Sequence, residues 1–196
     1  MFTDEFKTIE ARAEATITDR GSRFIAVIAP ADTAEKAENF ISRLKEEYPD
    51  VLDFVYAMRI GLEPNRVTDS KGSGHFGPVI LDILESQEIT NSVLVVMREA
   101  QDTSGKGPSD QAYRDAGLNA LRRSKVVTRI LYDVLQFQIS HDDLEVVSRL
   151  IADHRGKIIQ TVSEPLLMLS VKIRKIQSEA LTKILVDATH GRTSVL

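Results

Sequence analysis

The chain has no cysteine and no tryptophan, and it has few aromatic residues, seven Phe and four Tyr among 196 residues. Without cysteine, it cannot form disulfides, thiolate zinc sites, iron–sulfur clusters or a cysteine nucleophile. The sparse aromatics predict a mostly aliphatic core. No apolar run approaches the roughly 20 residues that cross a bilayer, and the first residues lack the features of a signal peptide. We therefore expect a cytoplasmic protein with no membrane partner.

Acidic residues slightly outnumber basic ones, and the formal net charge is −4. The acidic excess lies in residues 1–125, whereas residues 126–196 are nearly balanced. A protein that binds nucleic acid through its general surface is more basic than this. Any contact with a polyanion must therefore use a local patch, because charges more than about 8 Å apart are screened at physiological salt.

Apolar periodicity predicts alternating strands and helices in the first two thirds of the chain. The predicted strands are residues 7–18, 23–29, 54–60 and 92–97, the last buried on both faces. The predicted helices are one that Asp32 caps, one around 79–84 and one that begins at Ser109 or Asp110. Because it is polar and rich in glycine, segment 61–77 is predicted to be irregular.

Residues 126–128 are predicted to be a hinge that leads into a second unit. The pattern beyond the hinge is strand, helix, strand, strand and helix: residues 131–139, 140–156, 157–162, 167–175 and a helix that ends near Gly191. This order is typical of a ferredoxin-like, split β-α-β fold. Its helices should cover one face of the sheet and leave the other open.

Two glycine-bearing segments, residues 68–77 and 103–110, each contain a lysine and each lead into a predicted helix. Glycine allows a backbone to approach an anion closely, and a helix N-terminus is electropositive. The segments therefore predict a site for phosphate or nucleic acid. Its candidate residues are Lys71, Gly72, Ser73, Gly74, Gly77, Arg98, Lys106 and Gly107. Neither segment is a Walker A motif, which argues against a P-loop NTPase.

Each of these residues also has a simpler interpretation. The glycines can serve turns in solvent-exposed loops. Arg98 can anchor an anion or pair with Glu99 or Asp102. His75 can act as an acid or base, but no partner carboxylate is evident from the sequence.

Several polar groups outside the two segments favour structural roles. His141 precedes two aspartates at a predicted helix start, where acidic residues are favourable without a metal. The basic run around Arg122 and Arg123 fits phosphate contact and a helix C-terminus equally well. On the open face of the second sheet only Tyr132 is aromatic, whereas RNA-recognition sheets use two or three stacking aromatics. We expect that face to be partly polar and solvated.

Three segments resemble the IMPACT/YigZ family. They are Gly21-Ser22-Arg23-Phe24-Ile25-Ala26, Ser73-Gly74-His75-Phe76-Gly77-Pro78-Val79-Ile80-Leu81, and Leu94-Val95-Val96-Met97-Arg98 followed by Ala112-Tyr113-Arg114-Asp115-Ala116. Three places depart from the family pattern. The family's Asp-Asp-Gly-Glu-Pro stretch is reduced here to Asp69 and its neighbours. His75-Phe76 stands where the family has Thr-Ala, and Glu99-Ala100-Gln101-Asp102 stands where it has Tyr-Phe-Gly-Gly.

The resemblance implies an α+β protein with two domains. Residues 1–126 would form a domain like domain 2 of ribosomal protein S5, and residues 127–196 a ferredoxin-like domain similar to those of elongation factor G. It also implies a translation-linked, non-enzymatic binding or regulatory protein that contacts RNA, the ribosome or protein partners of the translation machinery. It supplies no catalytic residue, and we expect no cofactor and no metal. The alternatives are a small-molecule phosphate-binding enzyme and a protein-interaction adaptor that does not bind nucleic acid.

Overall fold

The computed structural model describes residues 4–62, 66–72, 74–100, 107–163 and 166–196. Its backbone contacts divide the chain into two compact units. The first unit is Phe6–Arg129, and the second is Ile130–Leu196 together with the segment that ends at Glu5. The predicted boundary, between residues 126 and 127, lies three residues before the second unit begins. Within the described ranges, every helix is too short or too polar to span a lipid bilayer.

The first unit is built on a five-stranded antiparallel sheet in the order β2-β3-β6-β4-β5. The strands of this unit are β1 (Glu5–Ile9), β2 (Ala13–Asp19), β3 (Ser22–Pro30), β4 (Asp53–Ile60), β5 (Val67–Lys71), β6 (Ser92–Ala100) and β7 (Val126–Ile130). Its helices are α1 (Ala34–Glu47), α2 (Phe76–Ser86) and α3 (Asp110–Arg123). Strands β1 and β7 pair in a separate two-stranded sheet.

The central strands are apolar on both faces because helices cover both. On β6, Leu94 and Val96 join the core cluster of α2 and α3, whereas Val93, Val95 and Met97 join that of α1. All five side chains are inaccessible to solvent. The predicted doubly buried strand is therefore confirmed.

Three predictions for the first unit are wrong, and one cap is displaced. Residues 7–18 form two strands, because the turn after β1 sends β2 to a different partner. Segment 61–77 contains β5, an edge strand that pairs with β4 and lacks the apolar alternation that would reveal it. The predicted hinge at 126–128 is part of β7. Thr33, not Asp32, caps α1 by accepting a hydrogen bond from the backbone N–H of Lys36 at 3.2 Å.

The second unit is a four-stranded sheet in the order β11-β8-β10-β9, with two helices packed on one face. Its elements are β8 (Tyr132–Ile139), α4 (Leu144–Asp153), β9 (Lys157–Val162), β10 (Leu167–Arg174), α5 (Ser178–Ala188) and β11 (Ser194–Val195). Strand β10 lies between β8 and β9, as a split β-α-β requires. The predicted α+β fold is confirmed, and β11, two residues long, is a strand that the apolar pattern did not predict.

A buried carboxylate joins the start of the chain to the second unit. Asp4 is 1% exposed and accepts two hydrogen bonds from Arg174, at 3.0 Å from Nε and 2.6 Å from Nη2. The hydrogen bonds from Arg174 hold the pKa of the Asp4 carboxyl below its ordinary value. This pair should therefore make the stability of the unit depend on pH.

Asp4→Asn should lower the free energy of unfolding of the second unit at neutral pH. Because the folded-state pKa of Asp4 is lowered, the ionised carboxylate stabilises the unit at every pH above the unfolded-state pKa of about 3.9. The difference in the free energy of unfolding between the wild type and Asp4→Asn is then lost as pH falls through the folded-state pKa. Urea unfolding, followed through β10 amide signals between about pH 7 and pH 2.5, measures this. Glu179→Gln, at an exposed position in the first turn of α5, is the control. An advantage that persists undiminished at the acid end would contradict the assignment.

Candidate binding site at the amino ends of two helices

The two glycine-bearing segments lead to two helix ends that lie side by side. The first ends at His75, which precedes α2, and the second ends at Ser109, which caps α3. His75 Nε2 lies 2.6 Å from Asp110 Oδ1 in the first turn of α3. Both side chains are well exposed. The amino ends of α2 and α3 are thus neighbours, and Asp110 is the carboxylate partner of His75 that the sequence did not reveal.

The two helix ends differ in how they are capped. Ser109 Oγ accepts a hydrogen bond from the backbone N–H of Ala112 at 3.2 Å, and Asp110 adds an acidic group to the first turn of α3. Helix α2 has neither a side-chain cap nor an acidic residue in its first turn. Its own residues therefore compensate its positive end less, which favours an anion there, although Asp110 of α3 lies against its N-cap residue His75.

Close packing requires two glycines of the first segment, Gly72 and Gly77. A Cβ on Gly72 would lie 2.7 Å from Val55 Cα, and one on Gly77 would lie 3.3 Å from the backbone nitrogen of Lys71. Gly74 has a φ of +59° but only the Phe76 ring nearby, and a Cβ on Gly107 would meet nothing within 4 Å. Gly77 thus lets the first turn of α2 approach the end of β5. Ser73 and Lys106 lie outside the described residues.

Lys71 lies at the end of edge strand β5, directly opposite Tyr56 on β4. Its Nζ is 3.5 Å from Asp69 Oδ2, and Tyr56 donates its hydroxyl to the same oxygen at 3.3 Å. Asp69 raises the pKa of Lys71, while burial and then Asp69 raise the pKa of Tyr56. The Lys71 side chain is 70% exposed, so its ammonium can reach a ligand despite this pairing.

Arg98, unlike Lys71, is largely buried. Its Nε donates to Asp53 Oδ2 at 2.5 Å, and the two side chains are only 17% and 13% exposed. Its partner is Asp53, rather than the predicted Glu99, because the antiparallel β4–β6 register sets Asp53 and Arg98 opposite each other. Asp102, the other predicted partner, lies outside the described residues. Glu99 instead pairs with Arg23 at 2.9 Å.

A buried tyrosine links Asp53 to the helix ends. Tyr113 on α3 is inaccessible to solvent and donates its hydroxyl to Asp53 Oδ2 at 3.1 Å. Burial, followed by the charge of Asp53, raises the pKa of the Tyr113 hydroxyl well above its usual range. The Tyr113 ring stacks on Phe76 with centroids 4.1 Å apart, and Phe76 in turn lies against the His75 ring. The site therefore rests on a rigid base.

The two described cations of the site, Lys71 and Arg98, and the imidazole of His75 each lie beside an aspartate. An anionic ligand must compete with these carboxylates, so the arrangement suits selective or weak binding better than general attraction of polyanions. The sequence did not reveal Asp53 or the role of the Tyr113 hydroxyl. The sequence indicated only that Tyr113 lies on the apolar face of α3.

Several polar groups outside this site have structural roles. Ser140 caps the short 3-10 helix that contains His141. His154 Nδ1 lies 2.8 Å from the carbonyl oxygen of Leu150 at the end of α4. Arg123 donates to the Glu14 carbonyl at 3.4 Å. The part of the chain that the structure describes has no group of three or more His, Asp or Glu placed to hold a metal ion.

Residues 20–116 match the family model of the Impact N-terminal domain. This match includes α2, the start of α3 and every described residue of the candidate site. No curated protein sequence matches the chain.

Solved structures align with the chain at low sequence identity. One, described as a hypothetical protein, aligns with 100% of this chain and 98% of its own, at 20% identity and a TM-score of 0.66. The two-domain translational regulator Yih1 aligns with 59% of this chain and 48% of its own, at 24% identity and a TM-score of 0.43. A protein from Thermus thermophilus aligns with 100% of this chain and 29% of its own, at 13% identity and a TM-score of 0.43.

Proposed function

Because this chain carries an Impact N-terminal domain and so belongs to the IMPACT family, we propose that it is a non-enzymatic, translation-linked regulatory protein. Its first unit contacts a phosphate of RNA, free or within a ribosomal surface, at the amino end of α2. The family resemblance supports the link to translation. The site geometry supports the phosphate contact.

The observation that carries the phosphate contact is the uncapped end of α2 beside Lys71. The first turn of this helix has no acidic residue, and Gly77 allows it to lie against the end of β5. The first turn of α2 therefore adjoins the end of β5, the strand that carries the exposed Lys71 ammonium. Backbone amides, helix ends and lysines are the usual donors to phosphate oxygens, and they read no base sequence.

Lys71→Ala should weaken binding of single-stranded RNA about three- to tenfold and lower the slope of log K against log salt by about 0.7, the value of one lost phosphate contact. A salt titration of fluorescence anisotropy with a labelled oligoribonucleotide measures both quantities, and intact ribosomes provide a second binding partner. The matched control is Lys7→Ala, since Lys7 is also an exposed lysine of the first unit, paired with Glu88 at 2.9 Å. Equal affinity and equal slope for the wild type and Lys71→Ala would remove the proposed contact.

A direct protein contact is the second candidate function. The observation that favours it is the aspartate beside each of Lys71, His75 and Arg98, because these carboxylates oppose a polyanion. A pull-down of translation factors and ribosomes with and without nuclease separates the two. Association that survives nuclease supports the protein contact, and association that is lost supports the RNA contact.

A further inference from the structure

The sheet of the second unit has exposed side chains on the side away from α4 and α5, although at one end of this face Arg174, opposite Tyr132, binds the carboxylates of Asp4 and Glu5. We call this the outer face, and its central positions are Tyr132, Val134, Lys157, Val162, Met168 and Lys172. The β8–β10 and β9–β10 registers place these side chains on the same side. None of the described positions of strands β8, β9 and β10 on this face is an aspartate or glutamate.

Two lysines lie directly opposite each other on this face. Lys172 of β10 pairs with Lys157 of β9 in the register, and both residues are exposed. Among the described residues, neither ammonium has a carboxylate within 4.0 Å. Like charges directly opposite in a sheet are destabilising, so we expect this pair to reduce the stability of the unit. An anionic group placed over it would remove that cost.

Apolar side chains adjoin the lysine pair. Val134, opposite Lys172 on β8, is 56% exposed, and Tyr132 is 44% exposed. The Lys172 ammonium lies 4.6 Å from the centre of the Tyr132 ring. Met168 and Val162 form a second half-exposed apolar pair further along the ladder. Exposed apolar groups beside unpaired charge are typical of interaction surfaces.

We propose that the outer face is a docking surface for a protein segment that presents apolar side chains beside carboxylates. The apolar side chains pack on Val134 and Tyr132, and the carboxylates lie over Lys157 and Lys172. A protein fits better than RNA because the face offers one aromatic ring, whereas sheets that bind RNA bases use two or three. The surface belongs to the second unit, so it is independent of the contact proposed at α2.

The probes are a blocked 12-residue peptide of leucine, serine and glutamate, the same peptide with glutamine in place of glutamate, and a 12-nucleotide oligouridylate. Each is titrated into the full-length, isotope-labelled protein by NMR. The glutamate peptide should shift the amide signals of Val134, Lys157 and Lys172. Replacing both lysines with glutamine should weaken its binding about fivefold or more. Lys183→Gln, on the exposed side of α5, is the matched control and should leave the affinity unchanged.

The charge reversal Lys157→Glu separates docking from folding. It places opposite charges at the β9–β10 pair, so it should raise the Tm of the second unit by about 3 °C while abolishing binding of the glutamate peptide. A stability gain with loss of binding supports the proposal. Equal binding of the glutamine peptide, no shift with any peptide, or oligouridylate bound at these residues in place of the peptide would each overturn it.

Discussion

Arg59→Met is expected to lower the free energy of unfolding of the first unit by about 3 kcal/mol. Arg59 lies within β4 and is 6% exposed. Its Nη1 donates to the carbonyl oxygens of Leu84 at 2.9 Å and Ile89 at 2.8 Å. The Leu84 carbonyl is among the last of α2, where a cation also interacts favourably with the helix dipole. Methionine retains the length of the side chain but donates no hydrogen bond, so two buried carbonyls lose a donor.

The measurement is guanidinium unfolding followed by circular dichroism, with hydrogen exchange of the α2 and β4 amides to identify the unit that opens. The matched control is Arg43→Met, which makes the same substitution on the exposed face of α1 and should change the free energy of unfolding by less than about 0.5 kcal/mol. Equal changes in the free energy of unfolding for the two substitutions would show that the buried hydrogen bonds of Arg59 do not stabilise the unit.

Gly72→Ala should destabilise the first unit by a similar amount, about 3 kcal/mol, and should disturb the candidate site directly. The φ angle of Gly72 is +146°, which alanine adopts only with strain. The new Cβ would also meet Val55 Cα at 2.7 Å and the Phe54 carbonyl oxygen at 2.9 Å. These are backbone atoms of β4, and they cannot move away from the new Cβ as the end of a flexible side chain could. The end of β5, with Lys71, must therefore move.

Gly74→Ala is the control for this substitution. It also has a positive φ, +59°, but its Cβ would lie no closer than 3.8 Å to the Phe76 ring. It should cost only about 1 kcal/mol, the strain of the left-handed conformation alone. Thermal unfolding of both variants by calorimetry gives the comparison. If Gly74→Ala lowers the stability more than Gly72→Ala does, the close approach to β4 is not the reason that position 72 requires glycine.

The sequence predicts elements well where the side chains themselves carry the signal. The run Val93–Met97 in β6 and the apolar stripe of α1 were predicted because burial on two faces or one face selects their residues. Strands β5 and β11 were missed because they lie at sheet edges. Backbone pairing holds them in place, and their side chains are mostly exposed and lack an alternating apolar pattern.

The candidate site could be located from the sequence, but its pairings could not. Glycine and lysine before a helix are local signals, whereas Asp53 and Arg98 are 45 residues apart and His75 and Asp110 are 35 apart. These partners meet only because of the strand register and the packing of α2 beside α3. Arg59 is similar: a charged residue within a strand predicts exposure, and only the position of the α2 carbonyls explains its burial.

The pair between Asp4 and Arg174 joins residues 170 positions apart. Since a growing chain leaves the ribosome from its amino end, Asp4 emerges early, yet its partner is made near the end of synthesis. The first unit, whose contacts lie within Phe6–Arg129, can fold in the meantime. The second unit then closes around a residue translated well before its partner, and a truncated protein that begins at residue 127 would leave Arg174 without its buried partner.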